Sequence, residues 1–284
     1  MKMHFRYKAA QSFAWACRFK GLQLAKMTFR SVDGSSVFSR PYFGYKLFLN
    51  IGRSNTHQLL YLEGERFVRE QALLTGLVKQ GDVIIDVGAN IGYYLLMFEK
   101  LAGDRGHVFC FEPEPENLSE LKRNIAGNHL NNVSCFEAAV GDKCGTTYLA
   151  RGLNAMVCEE DEGLTLEVKM LTLDSVIEQE VDVIKIDVEG FEGQVLEGAR
   201  NIIRRSRPAL FVEVHPFLLS KPFSTSTILL FAEEFYSDIR FYDGQVRGLV
   251  GKMSSRYTGR NAVNQINDRA EILERSQVFW MICK

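Results

Sequence analysis

The chain has 284 residues, with 34 basic and 35 acidic side chains and a formal net charge of −1. This balance argues against general nucleic-acid binding, and a hydrophobic fraction of 46% is that of an ordinary folded protein. No window of the sequence reaches the apolar length that a helix needs to cross a bilayer. We therefore expect a protein with a sizeable core that does not span a membrane.

The first 27 residues predict a strongly basic helix. The basic side chains in and just after it all precede the first acidic residue, Asp33: Lys2, Arg6, Lys8, Arg18, Lys20, Lys26 and Arg30. We favour a helix that packs on the rest of the chain or on a partner in a homo-oligomer; a helix on an anionic membrane surface and an organelle presequence are the alternatives. The compact apolar segment of a secretory signal is missing, so we expect a cytoplasmic protein, with peripheral membrane contact as the alternative.

A small antiparallel cap is predicted after this helix. Tyr45–Asn50 and Gln58–Leu62 have the composition of strands, and Asp33-Gly34 and Gly52-Arg53 have that of turns. A helix is expected over about residues 65–79.

A glycine-rich turn follows the first core strand. The apolar run Val83–Ile85 predicts a parallel strand covered on both faces, and Asp86 follows it. The turn itself contains Gly88, Ala89, Asn90 and Gly92. Glycine lets the backbone approach a ligand closely, and Asp86 together with free backbone N–H groups would suit a ligand that carries an ammonium and a carboxylate. The alternative is an ordinary tight connection between a strand and a helix.

Glu112 stands at the carboxyl end of the next predicted strand, His107–Phe111. An acidic residue about 20 positions after such a turn can accept hydrogen bonds from a ribose diol. The alternative is an acid that stabilises the N-terminus of the helix predicted at 117–128, and we prefer that role for Glu114 and Glu116.

Small side chains follow the third predicted strand, Val133–Glu137. They would leave room for an adenine ring, whose amino hydrogens Glu137 or Asp142 could accept. Gly141-Asp142 is also compatible with an ordinary turn.

Strands and helices alternate from residue 83 to 216, which is typical of βαβ units. The stretch 145–173 interrupts them and predicts an inserted hairpin, with the acidic run 159–162 as a solvated loop. The last predicted elements are a helix at 225–237 and two antiparallel strands at 238–242 and 277–283.

The chain resembles the FkbM family of methyltransferases, which use S-adenosylmethionine (SAM). The residues that carry the resemblance are Asp86-Val-Gly-Ala-Asn-Ile-Gly92, Glu112-Pro-Glu-Pro, Ile184-Lys-Ile-Asp-Val-Glu-Gly190 and Glu213-Val-His-Pro216. The resemblance covers about half of the chain. It implies that Asp86, Gly88, Asn90 and Gly92 line the methionine end of SAM and that Glu112 binds the ribose.

The fold that this resemblance implies is α/β: a Rossmann-like class I methyltransferase with a mostly parallel seven-stranded sheet, helices on both faces and an antiparallel edge. We expect residues 1–64 to form an N-terminal extension and residues 65–284 to form the methyltransferase domain. The implied reaction is O-methylation of a hydroxyl on a sugar, a glycan or a secondary metabolite. The alternatives are a SAM-binding module without turnover and an NAD-dependent oxidoreductase.

Two late strand ends carry the residues expected to act on the acceptor hydroxyl. Lys185 and Asp187 share one face of an apolar strand. Glu213 and His215 share one face of another. With Glu189, these acids and the histidine are expected to converge where the acceptor binds.

His215 is the predicted general base, because the usual pKa of histidine lies near neutrality. Asp187 would orient it or act as the base itself, and Lys185 would balance the carboxylates. A divalent ion bound by Asp187, Glu189, Glu213 and His215 is an alternative, although we prefer a base without metal. The other alternative is a purely structural salt bridge between Lys185 and Glu213.

Overall fold

The computed structural model describes residues 37–53, 57–58, 60–61, 68–150, 156–158, 165–244 and 264–284. The predicted basic helix and the acidic run at 159–162 lie outside the described residues. Within these ranges, no helix has both the length and the apolar character that crossing a membrane requires.

A central sheet of eight strands has the order β13-β12-β14-β11-β10-β3-β4-β5. Its strands are β3 (Val83–Val87), β4 (His107–Phe111), β5 (Val133–Phe136), β10 (Val183–Ile186), β11 (Ala209–Val214), β12 (Ile239–Asp243), β13 (Gln265–Ile266) and β14 (Phe279–Cys283). The pairs among β3, β4, β5, β10 and β11 are parallel, whereas β14, β12 and β13 pair antiparallel. The mostly parallel sheet with an antiparallel edge is therefore confirmed. Its eighth strand is only two residues long, too short to give a period-two signal in the sequence.

Helices cover both faces of this sheet, as predicted. They are α1 (Val68–Thr75), α2 (Tyr93–Ala102), α3 (Pro115–Gly127), α4 (Glu192–Glu197), α5 (Arg200–Ser206), α6 (Thr225–Phe235) and α7 (Arg269–Glu274). Ile84 packs in a core with Leu95 of α2, whereas its neighbour Ile85 packs in another with Val195 of α4 and Ile228 of α6. Adjacent residues of one strand thus belong to different cores, because side chains alternate across a sheet.

A hairpin replaces the predicted N-terminal cap. Strand β1 (Val37–Tyr42) pairs antiparallel with β2 (Tyr45–Asn50). The two residues between them, Phe43 and Gly44, have φ values of 48° and 83°. A turn with two positive φ values closes a two-residue hairpin. Tyr45–Asn50 therefore pairs with the strand that comes before the turn. The predicted pairing with Gln58–Leu62 is wrong, since the residues described there are helical.

The hairpin predicted within 145–173 is confirmed. Strand β7 (Gly145–Ala150) pairs antiparallel with β9 (Thr165–Leu171). Strands β6 (Ala139–Val140) and β8 (Met156–Cys158) complete a four-stranded sheet. Val157 and Val168 of this sheet pack against a small core that contains Phe191, at the carboxyl ends of the central strands.

Candidate active site

A cleft of about 700 Å³, open to solvent, lies at the carboxyl ends of β3, β4 and β10. Ligands bind at this edge in open α/β sheets. The residues that line the cleft are Val87, Gly88, Asn90, Phe111, Glu112, Pro113, Asn117, Ala138, Ala139, Val140, Val157, Asp187, Val188 and Glu189. Residues from both ends of the predicted site therefore share one cleft.

The glycine-rich turn is fixed by its neighbours on both sides. Gly88 has a φ of 77°, and a Cβ at this position would overlap the backbone carbonyl oxygen of Asp187. The N–H groups of Gly88 and Ala89 both donate to the carbonyl oxygen of Phe111, at 3.0 and 3.1 Å. The N–H groups of these two residues are therefore already engaged within the protein, and Gly88 is needed for the close approach of two loops.

Glu112 joins the cleft to the turn. Its carboxylate accepts hydrogen bonds from the backbone N–H groups of Asn90 at 2.8 Å and Glu114 at 3.0 Å. Burial raises the pKa of Glu112 to about 7, although these two backbone donors oppose the shift. Glu112 thus lines the cleft where the ribose is expected, and it also holds the turn.

The acids that follow Glu112 have structural contacts. Glu114 is the N-cap of α3 and accepts from the backbone N–H of Asn117 at 2.6 Å. Glu116 lies in the first turn of α3 and pairs with Arg53 at 3.0 Å. Both placements agree with the preference for a helix-terminal role.

Asp86 and Lys185 form an ion pair beneath the cleft. Lys185 Nζ lies 2.9 Å from Asp86 Oδ1, and the two residues are 1% and 0% exposed. Burial raises the pKa of Asp86, and the charge of Lys185 opposes that rise. Asp86 is not among the cleft-lining residues, and its close partner is Lys185, so its contact with the methionine end of SAM stays a prediction. Asp86, not Glu213, is the close partner of Lys185.

The part of the cleft where adenine is predicted to bind has apolar side chains. Ala138, Ala139 and Val140 line it, and Phe111 stacks on Phe136 with ring centroids 4.6 Å apart.

Besides Asp86, four of the predicted cofactor contacts lie outside the lining of the cleft. Glu137 is exposed and pairs with Lys122 at 3.6 Å, and Asp142 is also exposed. Ala89 and Gly92 are buried within the turn.

Three predicted acceptor-side residues converge at the other end. Asp187, Glu189 and His215 each offer a ligand atom, and these atoms all lie within 4.8 Å of one another. We call these three residues the strand-end cluster. Lys185 Nζ is 3.8 Å from Asp187 Oδ2, so the lysine lies behind the cluster. Glu213 is not one of the three residues of the cluster. It interacts electrostatically with Lys185.

Both ring nitrogens of His215 face carboxylates. Nε2 lies 3.4 Å from Glu189 Oε2, and Nδ1 lies 2.7 Å from Glu192 Oε1. Burial lowers the pKa of His215, but the hydrogen bond and charge of Glu192 and the charge of Glu189 outweigh it and raise the pKa to about 9. The imidazole of this arrangement holds its proton at neutral pH, which argues against the prediction that His215 is the general base.

The pKa of Glu213 is also shifted from its ordinary value. Burial and the neighbouring charge of Asp187 raise its pKa to about 8. An acid that keeps a proton near neutrality cannot balance Lys185 in full, so the structural salt bridge between these two residues is disfavoured.

Several residues of the site were missed by sequence reasoning. Glu192 is fully buried and holds His215, yet in the sequence it is one acid among several around Gly190. The Tyr94 ring lies 4.9 Å from Lys185 Nζ, but its position in an apolar helix gives no polar signal. Val157 reaches the cleft only through the inserted sheet.

The fold and the site define a Rossmann-like class I methyltransferase. A family model described as "Methyltransferase FkbM domain" matches residues 86–242, more than half of the chain. The chain therefore belongs to the FkbM methyltransferase family. This confirms the recognition made from the motifs, and with it SAM as the methyl donor.

Characterised relatives match about half of this chain. Hexuronic acid methyltransferase AglP of Haloferax volcanii is 28% identical over 163 residues, which are 54% of this chain and 64% of that protein. 31-O-demethyl-FK506 methyltransferase FkbM of Streptomyces tacrolimicus is 26% identical over 204 residues, 58% of this chain and 78% of that protein. Among solved structures, methyltransferase FkbM of Methylobacillus flagellatus is 17% identical with a TM-score of 0.43, and the match covers 66% of this chain and 50% of that one.

Proposed function

We propose that this protein is a SAM-dependent O-methyltransferase whose acceptor is a hydroxyl of a sugar, a glycan or a secondary metabolite. The observation that carries the proposal is that one cleft is lined by Glu112 at one end and by Asp187 and Glu189 at the other. A nucleoside-binding acid and a hydroxyl-activating group must face one another for a methyl group to pass between them.

The donor end of the cleft fits the SAM molecule. Glu112 would accept from the ribose hydroxyls, because its two oxygens are held in place by backbone donors and retain lone pairs. Ala138 and Val140 would bound the adenine. When bound, SAM supplies a methyl group that is made electrophilic by its sulfonium.

The acceptor end must remove a proton from the hydroxyl. In the transfer, a bond forms between the hydroxyl oxygen and the methyl carbon while the carbon–sulfur bond breaks, and the hydroxyl proton leaves. Asp187 is the side chain best placed to take it, since its carboxylate lies on the cleft wall and is only half-buried. His215 is buried between two other carboxylates and would orient the cluster.

An exposed aromatic ring beside the cluster supports a ring-bearing acceptor. Phe217 is 63% exposed, and its ring centroid lies 6.4 Å from that of His215 in an edge-on arrangement. Such a ring offers a flat apolar surface to a sugar or a macrocycle. Relatives named for a hexuronic acid and for 31-O-demethyl-FK506 also support a hydroxylated acceptor.

The cellular location and the oligomeric state of the protein remain predictions from the sequence. A cytoplasmic location, a membrane contact of the basic N-terminus and homo-oligomer formation all depend on residues 1–36, which lie outside the described ranges. The boundary between residues 64 and 65 likewise stays a prediction.

Calorimetric titration with SAM tests the donor site, and transfer of a radiolabelled methyl group to uronic acids and macrolides tests the reaction. We expect SAM to bind and NAD not to bind. Glu112→Ala should weaken SAM binding, whereas Glu137→Ala, a matched loss of an exposed acid, should leave it unchanged. Binding of NAD in place of SAM would refute the proposal, and SAM binding without transfer to any tested hydroxyl would favour a binding module.

A further inference from the structure

The strand-end cluster has the composition of a cation site. Asp187 and Glu189 lie on the loop after β10, and His215 follows β11, so two separate strands bring one imidazole and two carboxylates together. Their ligand atoms lie within 4.8 Å of one another, which small side-chain rotations can close around an ion with bonds of about 2.1 Å.

The histidine of the cluster is oriented from behind by a residue outside it. Glu192 is fully buried at the start of α4, and its Oε1 lies 2.7 Å from His215 Nδ1. The same oxygen accepts from the backbone N–H of Gly190 at 3.0 Å, so the carboxylate is fixed. A carboxylate that accepts from one nitrogen of a histidine is the usual support of a metal-binding histidine, and a bound ion would replace the proton on the other nitrogen, Nε2.

Among the described residues, carboxylates outnumber cationic groups around the cluster. Asp187, Glu189 and Glu192 surround a single imidazole. Lys185 is committed to Asp86 at 2.9 Å and is 3.8 Å from Asp187. Glu192 Oε2 is buried and has no hydrogen-bond partner among the described residues. A divalent cation would add positive charge to this group of carboxylates.

We propose that Asp187, Glu189 and His215 bind one divalent cation of the Mn²⁺ and Mg²⁺ class. Two hard carboxylate oxygens with one imidazole suit these ions, and no thiolate is present among the three to favour a structural zinc site. This inference rests on the proposed function for its role: three protein ligands leave coordination positions open for the acceptor hydroxyl. The ion would ease loss of the hydroxyl proton to solvent, and Asp187 would then serve as a ligand instead of a base.

Titration of Mn²⁺ into the full chain, after dialysis against EDTA, tests the site directly. Electron paramagnetic resonance measures the free ion, and we expect one Mn²⁺ bound per chain, displaced by Mg²⁺. Asp187→Asn and His215→Ala should each weaken Mn²⁺ binding at least tenfold. Glu192→Gln should weaken it about tenfold through the orientation of His215. Glu137→Gln, a matched loss of one exposed carboxylate, should have no effect.

Two results would overturn the inference. One is no saturable binding below about 1 mM, the weak limit for oxygen-ligand sites. The other is an equal loss in Glu137→Gln and Asp187→Asn, which would indicate general charge attraction. Circular dichroism of each variant separates lost ligands from lost fold. SAM titration without metal keeps the two proposals apart: SAM binding without Mn²⁺ binding removes only the cation site, and Mn²⁺ binding without SAM binding removes only the proposed function.

Discussion

The two ends of the cleft are built on different principles. At the proposed donor end, a single buried acid, Glu112, is held by two backbone N–H groups, and the cleft beside it is lined by uncharged residues such as Asn117 and Ala138. At the acceptor end, His215 lies between Glu189 and Glu192, each of which is a charged side chain. The donor end therefore depends on backbone geometry, whereas the acceptor end depends on a balance of charges. This difference predicts which substitutions disrupt the fold and which disrupt only the chemistry.

Gly88→Ala should have the largest effect, because it strikes the backbone geometry of the donor end. A Cβ there would overlap the carbonyl oxygen of Asp187, and the φ of 77° is unfavourable for alanine. We expect a loss of about 3 to 4 kcal/mol in the free energy of unfolding, measured in urea. Gly92→Ala is the matched control: its φ is 85°, but the closest atom to its Cβ would be the flexible end of the Leu121 side chain, at 2.8 Å, and not backbone. Equal losses in the two variants would show that φ alone, not the close approach, constrains Gly88.

Lys185→Met should have the next largest effect on the free energy of unfolding. It tests whether the ion pair beneath the cleft also depends on a balance of charges. It leaves Asp86 buried without its partner at 2.9 Å, so we expect a loss of about 3 kcal/mol in the free energy of unfolding. Adding Asp86→Leu should restore more than half of that loss, since an apolar pair needs no compensation. If the double variant is less stable than the single one, the pair is not the source of the effect.

Glu112→Gln should weaken SAM binding about tenfold at pH 8, and it should also lower the free energy of unfolding by about 1 to 3 kcal/mol, because its amide NH2 would face one of the two backbone N–H donors. The pKa of Glu112 in the free protein is raised to about 7, and ribose hydroxyls donate best to the ionised form. SAM affinity should therefore rise as the pH increases from 6 to 8 in the unaltered protein. The glutamine variant should lose this part of the rise, which calorimetry at both pH values measures. A rise of the same size in both proteins would assign the pH dependence to another group.

Glu137→Gln should have the smallest effect. Its carboxylate is exposed and pairs with Lys122 at 3.6 Å, so both SAM affinity and stability should stay within about twofold and 0.5 kcal/mol of the unaltered protein. A larger loss of SAM affinity would return Glu137 to the adenine contact that its position in the sequence suggested.

Most of the central sheet could be predicted because its signals are local. Strand β4 was predicted at His107–Phe111, where the structure has it, and the inserted hairpin was visible as a break in the alternation of elements. The hairpin of β1 and β2 was missed because its turn, Phe43-Gly44, has only one glycine and no asparagine or aspartate to announce it.

The sequence predicts the candidate-site residues that follow strands. It does not predict the one that stands at the start of a helix. Asp187 and His215 follow apolar runs, so the shared edge of a parallel sheet brings them together. Glu192 belongs to a helix that packs back on that edge, and no period in the sequence connects it to His215. This also explains why the sequence predicts His215 as a base. Part of the negative charge around its imidazole comes from Glu192, which no sequence pattern connects to it.

Val157 has a consequence for how this enzyme could diversify. It lies on the wall of the cleft but comes from the four-stranded inserted sheet, not from the central one. Mutations in the insert can therefore reshape the mouth of the pocket while the strands that carry Glu112 and Asp187 stay unaltered. The selectivity for the acceptor can thus evolve separately from the central sheet that carries the site.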